Sequence, residues 1–271
     1  MHRRCRNRSM KSFSHPVSQQ RRGFTLIEML VVIAIIALIA AITVPSVQGG
    51  LRSARHTQSM SQLRQWGAAL QMYALENRGN LPTRGPDQQP TWAQVTQLSN
   101  PQVAHAWYNV LPPFVDETPL AEIPANQRLQ FLLGQTMHRD PEARLDRSLL
   151  SQRPLFTYSF NSQLNTSRTT GDQIQGMGDL RNQVVSLSHF AQPGKTVIFF
   201  ETRVNRDDGT RTETAASQMA RAYGHSRHIS FRYGGRANLA FLDGSVRRFR
   251  SDDIFNGRDV VNDLVYWSGF D

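Results

Sequence analysis

Residues 23–47 read GFTLIEMLVVIAIIALIAAITVPSV, and this stretch decides how the rest of the chain is organised. The segment from Phe24 to Val44 has 21 residues. Within it, every residue from Met29 to Ile42 is apolar. At about 1.5 Å per residue, a helix of this length spans the roughly 30 Å hydrocarbon core of a membrane. The sequence therefore predicts a membrane-spanning or membrane-inserted helix over residues 24–47.

The segment before this helix holds most of the excess positive charge. The chain of 271 residues has 31 Lys and Arg against 21 Asp and Glu, a formal net charge of +10. Residues 1–23 contain seven basic residues and no acidic one, so the other 248 residues carry 24 basic and 21 acidic groups. A basic segment that precedes a membrane helix stays in the cytoplasm, by the positive-inside rule. The charge therefore predicts the membrane topology, with residues 1–23 in the cytoplasm and the rest of the chain on the other side. It does not predict a nucleic-acid partner.

Three kinds of N-terminal segment combine a basic tip with an apolar run. A secretory signal has an apolar stretch of about 7–15 residues and a small-residue cleavage site, for which Pro45 is unsuited. A twin-arginine export signal fits Arg21 and Arg22, which directly precede the apolar run. Neither accounts for Glu28, because a carboxylate in an apolar membrane segment costs about 2.5–3.5 kcal/mol unless it has a partner.

The string from Gly23 to Glu28, Gly-Phe-Thr-Leu-Ile-Glu, resembles the signal of type IV prepilins and of the pseudopilins of type II secretion. The resemblance implies that a prepilin peptidase in the membrane cuts between Gly23 and Phe24. It further implies that Phe24 becomes an N-methylated N-terminus and that Glu28 is the glutamate at mature position five. Pro45 stands where the family often has a proline that loosens the helix.

A free amino terminus at Phe24 is a buried cation, and Glu28 is a buried anion, so each requires a partner. Within one helix the amine reaches the carboxylate only loosely, whereas a neighbouring subunit shifted along the axis brings its amine alongside. Such pairing fixes the stagger between subunits, as a buried polar residue sets the register of a coiled coil. We therefore expect Glu28 to direct assembly; the alternative is a lone carboxylate that reaches the membrane surface.

Residues 48–80 are predicted to be an amphipathic continuation of the same helix. Apolar side chains recur at spacings of three and four residues, at Leu63, Trp66, Leu70 and Tyr73. This spacing places them in one apolar stripe along the helix, with a polar, solvent-exposed face opposite. Gly49 and Gly50 weaken the helix just after the membrane, and Gly79 with Pro82 ends it.

Residues 81–271 are predicted to form an extracytoplasmic globular domain. Residues 83–175 predict short helices and loops, and strand-like runs lie at 155–160, 195–204, 228–233, 237–242 and 245–250. The last three runs predict a meander, since Asp243-Gly244 between strands favours a hairpin. The predicted fold class is α+β and pilin-like, a long N-terminal helix packed on a C-terminal antiparallel sheet.

A second resemblance involves residues 53–82 and 233–244. These segments are similar to a large bacterial family of prepilin-like proteins that ends in a signature of His, nine residues, then Asp-Gly. Asp243 and Gly244 match the end of the signature, but Tyr233 stands where the family has its histidine. The resemblance therefore implies the hairpin and leaves the role of Tyr233 open.

Motifs for chemistry are sparse. His225 and His228 are three residues apart, but they lead into a predicted strand that points them to opposite faces, so we expect no metal there. The loop 205–209 has oxygen ligands and is read as a polar turn rather than a calcium site. Cys5, the single cysteine, excludes an internal disulfide. No cofactor and no enzymatic activity are predicted.

The sequence predicts a structural subunit that is inserted in the inner membrane, processed, and assembled with other pilin or pseudopilin subunits into a pilus or secretion pseudopilus. The leader, residues 1–23, lies in the cytoplasm and is removed, and the globular domain lies in the periplasm or outside the cell. The alternative is a monomeric membrane-anchored binding module, and an exported enzyme ranks last. The filament system and the rank of the subunit, major or minor, stay open.

Overall fold

The computed structural model of the chain describes residues 24–165, 185–204 and 219–254. The chain divides into two compact units, an N-terminal unit of residues 1–49 and a C-terminal unit of residues 50–271. The first helix, α1, spans Leu26–Glu76. It passes through Gly49 and Gly50 without interruption, because the helical hydrogen bonds tolerate glycine at a modest cost in free energy.

The other helices are short: α2 Trp92–Val95, α3 Pro101–Ala104, α4 Trp107–Val110, α5 Arg128–Leu133, α6 Arg147–Leu150 and α7 Ser251–Ile254. Single 3₁₀ turns lie at Pro112–Val115, Leu120–Glu122, Ser162–Asn165, Leu187–His189 and Ser226–His228. The strands are β1 Tyr158–Asn161, β2 Val197–Glu201, β3 Tyr223–Gly224, β4 Arg236–Phe241 and β5 Val246–Arg250.

The five strands form one sheet in the order β3-β1-β2-β4-β5. The pairs β1–β2, β2–β4 and β4–β5 are antiparallel, as predicted, whereas β3 runs parallel to β1. The α+β class is therefore confirmed, but the sheet is mixed rather than purely antiparallel. The sequence missed β3 because a strand of two residues is too short to show an alternating pattern.

The predicted strand at 228–233 is wrong, and so is the three-stranded meander. Ser226–His228 is a 3₁₀ turn, and the following residues pair with the end of β2 only through a bridge between Ile229 and Thr202. Gly234 and Gly235, both at positive φ, then turn the chain into β4. The β4–β5 hairpin itself is confirmed, with Gly244 at a φ of 83°.

The predicted stripe on α1 forms part of the core of the C-terminal unit. Leu63, Trp66 and Leu70 are fully buried and Tyr73 nearly so. The Trp66 ring lies 6.1 Å from the ring of Phe199 on β2, and its indole N–H donates to the carbonyl of Met137 at 3.1 Å. The helix packs on the sheet through this stripe, which confirms the 3.6-residue period that predicted it.

All five residues of β2 are buried. Ile198 and Phe199 belong to the main apolar core, whereas Val197 and Phe200 belong to a second cluster with residues of β4 and β5. The continuous apolar run predicted a strand covered on both faces, and the structure confirms it.

The C-terminal end of α1 is closed by the backbone. Arg78 and Gly79 both have positive φ, and the Gly79 amide donates to the carbonyl of Ala74 at 2.7 Å. This bond satisfies one of the carbonyls that the last helical turn leaves without a partner. The helix thus ends at Glu76, four residues before the end of the predicted segment 48–80, and Arg78 holds the first left-handed position.

Candidate functional site

The N-terminal unit begins with a reciprocal cap at the start of α1. The amide of Glu28 donates to Thr25 Oγ1 at 3.2 Å, while the amide and hydroxyl of Thr25 donate to Glu28 Oε2 at 2.8 and 2.9 Å. This arrangement is a capping box, which satisfies amides that the first helical turn leaves free. Sequence reasoning missed it, although Thr followed three residues later by Glu is its usual signal.

The capping box leaves part of the Glu28 carboxylate available. Both Thr25 bonds go to Oε2, and Oε1 has no hydrogen bond within the part of the chain that the structure describes. Phe24 is exposed beside it, and Gly23 lies outside the described residues. A second donor can therefore reach Glu28 without breaking the cap.

From Leu26 to Val47 the apolar side chains of α1 are exposed. This helix is long and apolar enough to cross a membrane, by length and composition. A surface of this kind is stable only against lipid or other apolar helices. The structure is thus consistent with an N-terminal membrane anchor.

The C-terminal unit contains a buried polar cluster that the sequence did not predict as a site. At its centre, Ser59 Oγ on α1 lies 2.6 Å from Glu201 Oε1 on β2 and 3.1 Å from Asp140 Oδ2. The Tyr158 hydroxyl on β1 is 3.0 Å from the same Ser59 oxygen and donates to Gln62 Oε1. All five side chains are buried, so the cluster joins the helix to the sheet through polar contacts out of reach of water.

Strand β4 and a further polar residue of α1 complete the cluster around Glu201. Asn238 on β4 donates to Glu201 through its backbone amide, at 2.9 Å, and through its side-chain amide, at 2.7 Å. The Asn238 side-chain oxygen lies 3.0 Å from His56 Nε2 on α1. One glutamate thus binds α1, β2 and β4 together.

Tyr233, at the position where the resembling family has a histidine, belongs to this cluster. Its hydroxyl donates to Asp140 Oδ1 at 2.8 Å, and its ring centre lies 5.1 Å from that of His56. Asp140 also accepts from the amide of Glu142 and lies 3.3 Å from Arg232 Nη1. In this structure Tyr233 is therefore a buried hydrogen-bond donor to a carboxylate.

Ser59 cannot donate to both carboxyl groups. A serine hydroxyl has one proton, so when it donates to one of the two carboxyl oxygens, the other carboxyl must be protonated and donate to it. Asp140 also faces Arg232, the Tyr233 hydroxyl and a backbone amide, and the carboxyl whose pKa is raised is that of Glu201. We therefore assign the proton to Glu201, which donates to Ser59, and Ser59 donates to Asp140.

The electrostatics point the same way. Burial, with the nearby Asp140 as the second cause, raises the pKa of Glu201 to about 8 against the lowering effect of Arg232. Burial likewise raises the pKa of Tyr158 and of Tyr233, with Asp140 as the second cause. The cluster is thus a polar network shielded from water, in which Arg232 lies 3.3 Å from Asp140.

Two motifs were expected not to bind a metal ion: the pair His225 and His228, and the loop 205–209. The structure describes only the first of them. The prediction that these two histidines point to opposite faces is wrong. His225 precedes the 3₁₀ turn and His228 is its last residue, so their ring centres are only 4.3 Å apart. Each Nδ1 accepts a backbone amide, His228 from His225 and His225 from Arg227. Within residues 24–165, 185–204 and 219–254, no group of three His, Cys, Asp or Glu is arranged to hold a metal. The loop 205–209 lies outside the described residues.

Comparisons with known proteins concentrate on the N-terminal segment. Residues 18–44 match the family model of the prokaryotic N-terminal methylation motif. Prepilin peptidase-dependent protein D of Escherichia coli K12 is 43% identical over 60 residues, 22% of this chain and 41% of that protein. Type II secretion system core protein G of Klebsiella pneumoniae is 41% identical over 59 residues, 22% of this chain and 42% of its own length.

The core protein G of Klebsiella michiganensis is 36% identical over 86 residues, 32% of this chain and 58% of that protein. The chain thus spans about two fifths to three fifths of the length of these curated relatives. No solved structure matches the chain. The matched motif surrounds Gly23, Phe24 and Glu28, and it coincides with the exposed apolar half of α1. The N-terminal segment of this chain is therefore similar to the corresponding segments of prepilin peptidase-dependent protein D and of the type II secretion core protein G.

Proposed function

We propose that this chain is a structural subunit of a type II secretion pseudopilus or a type IV pilus. The observation that carries the proposal is the coincidence of the methylation motif, residues 18–44, with an apolar helix whose side chains are exposed. Such a helix requires lipid before assembly, and it can exchange lipid for the helices of other subunits afterwards.

In this proposal a prepilin peptidase cuts between Gly23 and Phe24 and the new amino group of Phe24 is methylated. The leader lies in the cytoplasm, the apolar half of α1, residues 26–47, crosses the inner membrane, and the C-terminal unit lies on the periplasmic side. The positive charge of residues 1–23 supports this orientation. Removal of the leader also removes Cys5, so the mature chain has no thiol.

Glu28 is the proposed assembly residue. Its Oε1 is available in the single chain, and the amine of Phe24 from a neighbouring subunit is a suitable donor for it. A charged pair in an apolar environment is costly unless both partners are present, so it favours one axial stagger over others. The capping box holds the carboxylate in place for this contact.

Processing is tested by co-expressing the full chain with a prepilin peptidase and measuring the intact mass and N-terminal sequence. We expect a chain of residues 24–271 that carries one added methyl group on Phe24. Gly23→Arg should abolish the cut, and Lys11→Gln serves as a matched control within the leader that should leave it unchanged. A mature chain that starts at any other residue would refute the assignment.

Assembly is tested separately by cross-linking paired cysteines placed in the apolar half of α1 in native membranes. We expect a ladder of cross-linked subunits that Glu28→Ala abolishes and that Thr25→Ser, which keeps the capping hydroxyl, retains. Monomers that are processed normally but never cross-link would favour the membrane-anchored binding module instead.

A further inference from the structure

One face of the β4–β5 hairpin is strongly cationic. In the antiparallel register Arg236 lies opposite Arg250, and Asn238 lies opposite Arg248. Residues two apart along a strand share a face, so these three arginines project from the same side of the hairpin. Like charges directly opposite each other destabilise a sheet, so this arrangement does not serve the stability of the hairpin.

Among the described residues, the charges on this face have no acidic partner in a hydrogen bond or ion pair. All three arginines are exposed, and so is Arg52 on α1. Among residues 24–165, 185–204 and 219–254, the side chains of Arg52, Arg236 and Arg250 make no hydrogen bond or ion pair, and Arg248 donates only to the carbonyl of Tyr233. Asp253, which follows β5, accepts from the backbone amide of Arg250. The face therefore presents cationic groups that are available to an external anion.

Contacts within the C-terminal unit show which end of it carries this face. Asn238 on β4 meets His56 on α1, and further along both elements the backbone of Gly244 lies against Gly67. Strand β4 and helix α1 therefore advance in the same direction. Arg236 precedes Asn238 by two residues, which is about 6.6 Å along the strand. Arg52 precedes His56 by four residues, which is about 6 Å along the helix.

Arg236 is therefore level with Arg52, at the end where the chain enters the C-terminal unit. Arg52 follows Val47, the last residue of the predicted membrane segment, by five residues, a length of chain that extends at most about 17 Å. The headgroup layer on each side of a membrane is about 5–8 Å thick. The length of chain thus keeps Arg52 and its neighbours within reach of the headgroups.

We propose that a cationic face made of Arg52, Arg236, Arg248 and Arg250 binds anionic phospholipid headgroups of the membrane in which the chain is anchored. The inference rests on the proposed function only in requiring that α1 is in a membrane. Guanidinium groups bind phosphate oxygens with two parallel hydrogen bonds, and the membrane holds many phosphates at one level. Bound in this way, the C-terminal unit is held against the membrane surface until assembly releases it.

The test uses the full chain in nanodiscs, with Cys5→Ser and a fluorophore on Asp252→Cys, next to the cationic face. Energy transfer to an acceptor on the lipid headgroups is compared between discs of phosphatidylcholine and discs that contain phosphatidylglycerol. We expect transfer to rise with the anionic lipid and to fall again when salt screens the charges. The variant R236Q/R248Q/R250Q should lower the equilibrium constant for the surface-bound state at least tenfold.

Two controls keep the outcome interpretable. R64Q/R78Q/R147Q removes three exposed arginines elsewhere and should leave energy transfer unchanged. R236Q/R250Q changes only side chains without a partner in the described structure, so it tests the face without loss of the Tyr233 contact. Flotation of each variant with lipid vesicles confirms that α1 is inserted, which separates failure of this inference from failure of the proposed membrane anchor.

Equal transfer in both lipids, or transfer that the triple variant retains, would overturn the inference. If transfer is independent of lipid but the variants lose cross-links between subunits, the face contacts an acidic surface of a neighbouring subunit and the lipid assignment is wrong.

Discussion

Substitution of Glu201 by glutamine should remove a pH dependence that is built into the C-terminal unit. Glutamine has the shape of a protonated glutamate and can donate to Ser59 Oγ as the carboxylic acid does. It can also accept from the backbone amide of Asn238. Because it does not ionise, Glu201→Gln should fold without the cost of ionising this buried side chain. Its NH2 group faces the side-chain amide of Asn238, which must turn so that its oxygen accepts the hydrogen bond.

The sign of the effect follows from proton counts in the two states. The unfolded chain releases the Glu201 proton near the ordinary pKa of 4.5, whereas burial and Asp140 raise the folded pKa to about 8. The contribution of the protonated Glu201 to stability is therefore fully present below pH 4.5 and is lost as the pH rises to about 8. Each unit in that range costs about 1.4 kcal/mol, so a rise from pH 5 to pH 7 costs roughly 2–3 kcal/mol.

The assay is urea unfolding of the full chain in detergent micelles, monitored by tryptophan fluorescence. Trp66, Trp92 and Trp107 are buried, so their emission reports the loss of the core. The quantity of interest is the free energy of unfolding of Glu201→Gln minus that of the wild type, since groups common to both proteins cancel. This difference should increase by roughly 2–3 kcal/mol from pH 5 to pH 7, or about 5–10 °C in Tm for a unit of this size.

Glu76→Gln is the matched control, because Glu76 is exposed at the end of α1. Its difference from the wild type should stay within about 0.5 kcal/mol at every pH. A difference for Glu201→Gln that is flat with pH, or one that shows the variant to be less stable by a constant amount, would refute the reasoning. Either result would mean that folded Glu201 is ionised and that the proton count around Ser59 is wrong.

Three other predictions concern the same unit. Tyr233→Phe removes the buried hydrogen bond to Asp140 and should lower the free energy of unfolding by about 1–3 kcal/mol in urea titrations; Tyr233→His should not restore it, since an imidazole reaches less far, and full recovery would contradict this geometry. Burial lowers the pKa of His138 to about 4 and that of His228 to about 3. Each neutral histidine therefore contributes stability above its unfolded pKa of 6.5, and this contribution is lost as the pH falls, by about 2 kcal/mol per histidine between pH 7 and pH 5. In unfolding titrations, His138→Gln should reduce the loss of stability over this pH range. Trp66→Ala should cost about 3–5 kcal/mol by the same measurement, and a cost under 1 kcal/mol would show that the outer half of α1 is not part of the core.

Much of the fold was predictable because its signals are local. The stripe that includes Leu63 and Trp66 follows the helical period, and the run Val197–Phe200 is apolar enough to be covered on both faces. Asp243-Gly244 supplies the positive φ that a tight turn requires, so the β4–β5 hairpin could be predicted as well. Each of these features depends on residues that are close together in the chain.

The errors lie where pairing partners are distant. Residues 228–233 have strand-like composition, but they meet β2 only through Ile229, since the 3₁₀ turn and Gly234 bend the chain on either side. Strand β3 is defined by its parallel contact with β1, which no local pattern encodes. Composition indicates that a segment can form a strand. Whether it does so depends on whether an edge strand of the sheet is available to pair with it.

The sequence by itself determined the N-terminal segment of this protein: the apolar helix, the basic residues before it and the string around Glu28, which the methylation motif at residues 18–44 matches. That information is local, because length, charge and a short motif suffice to specify an apolar helix of membrane length and the matched motif. Only the tertiary structure brought Ser59, Asp140 and Glu201 together from positions separated by 61 to 142 residues. Their chemistry depends on burial and on shared protons, which exist only after the chain has folded.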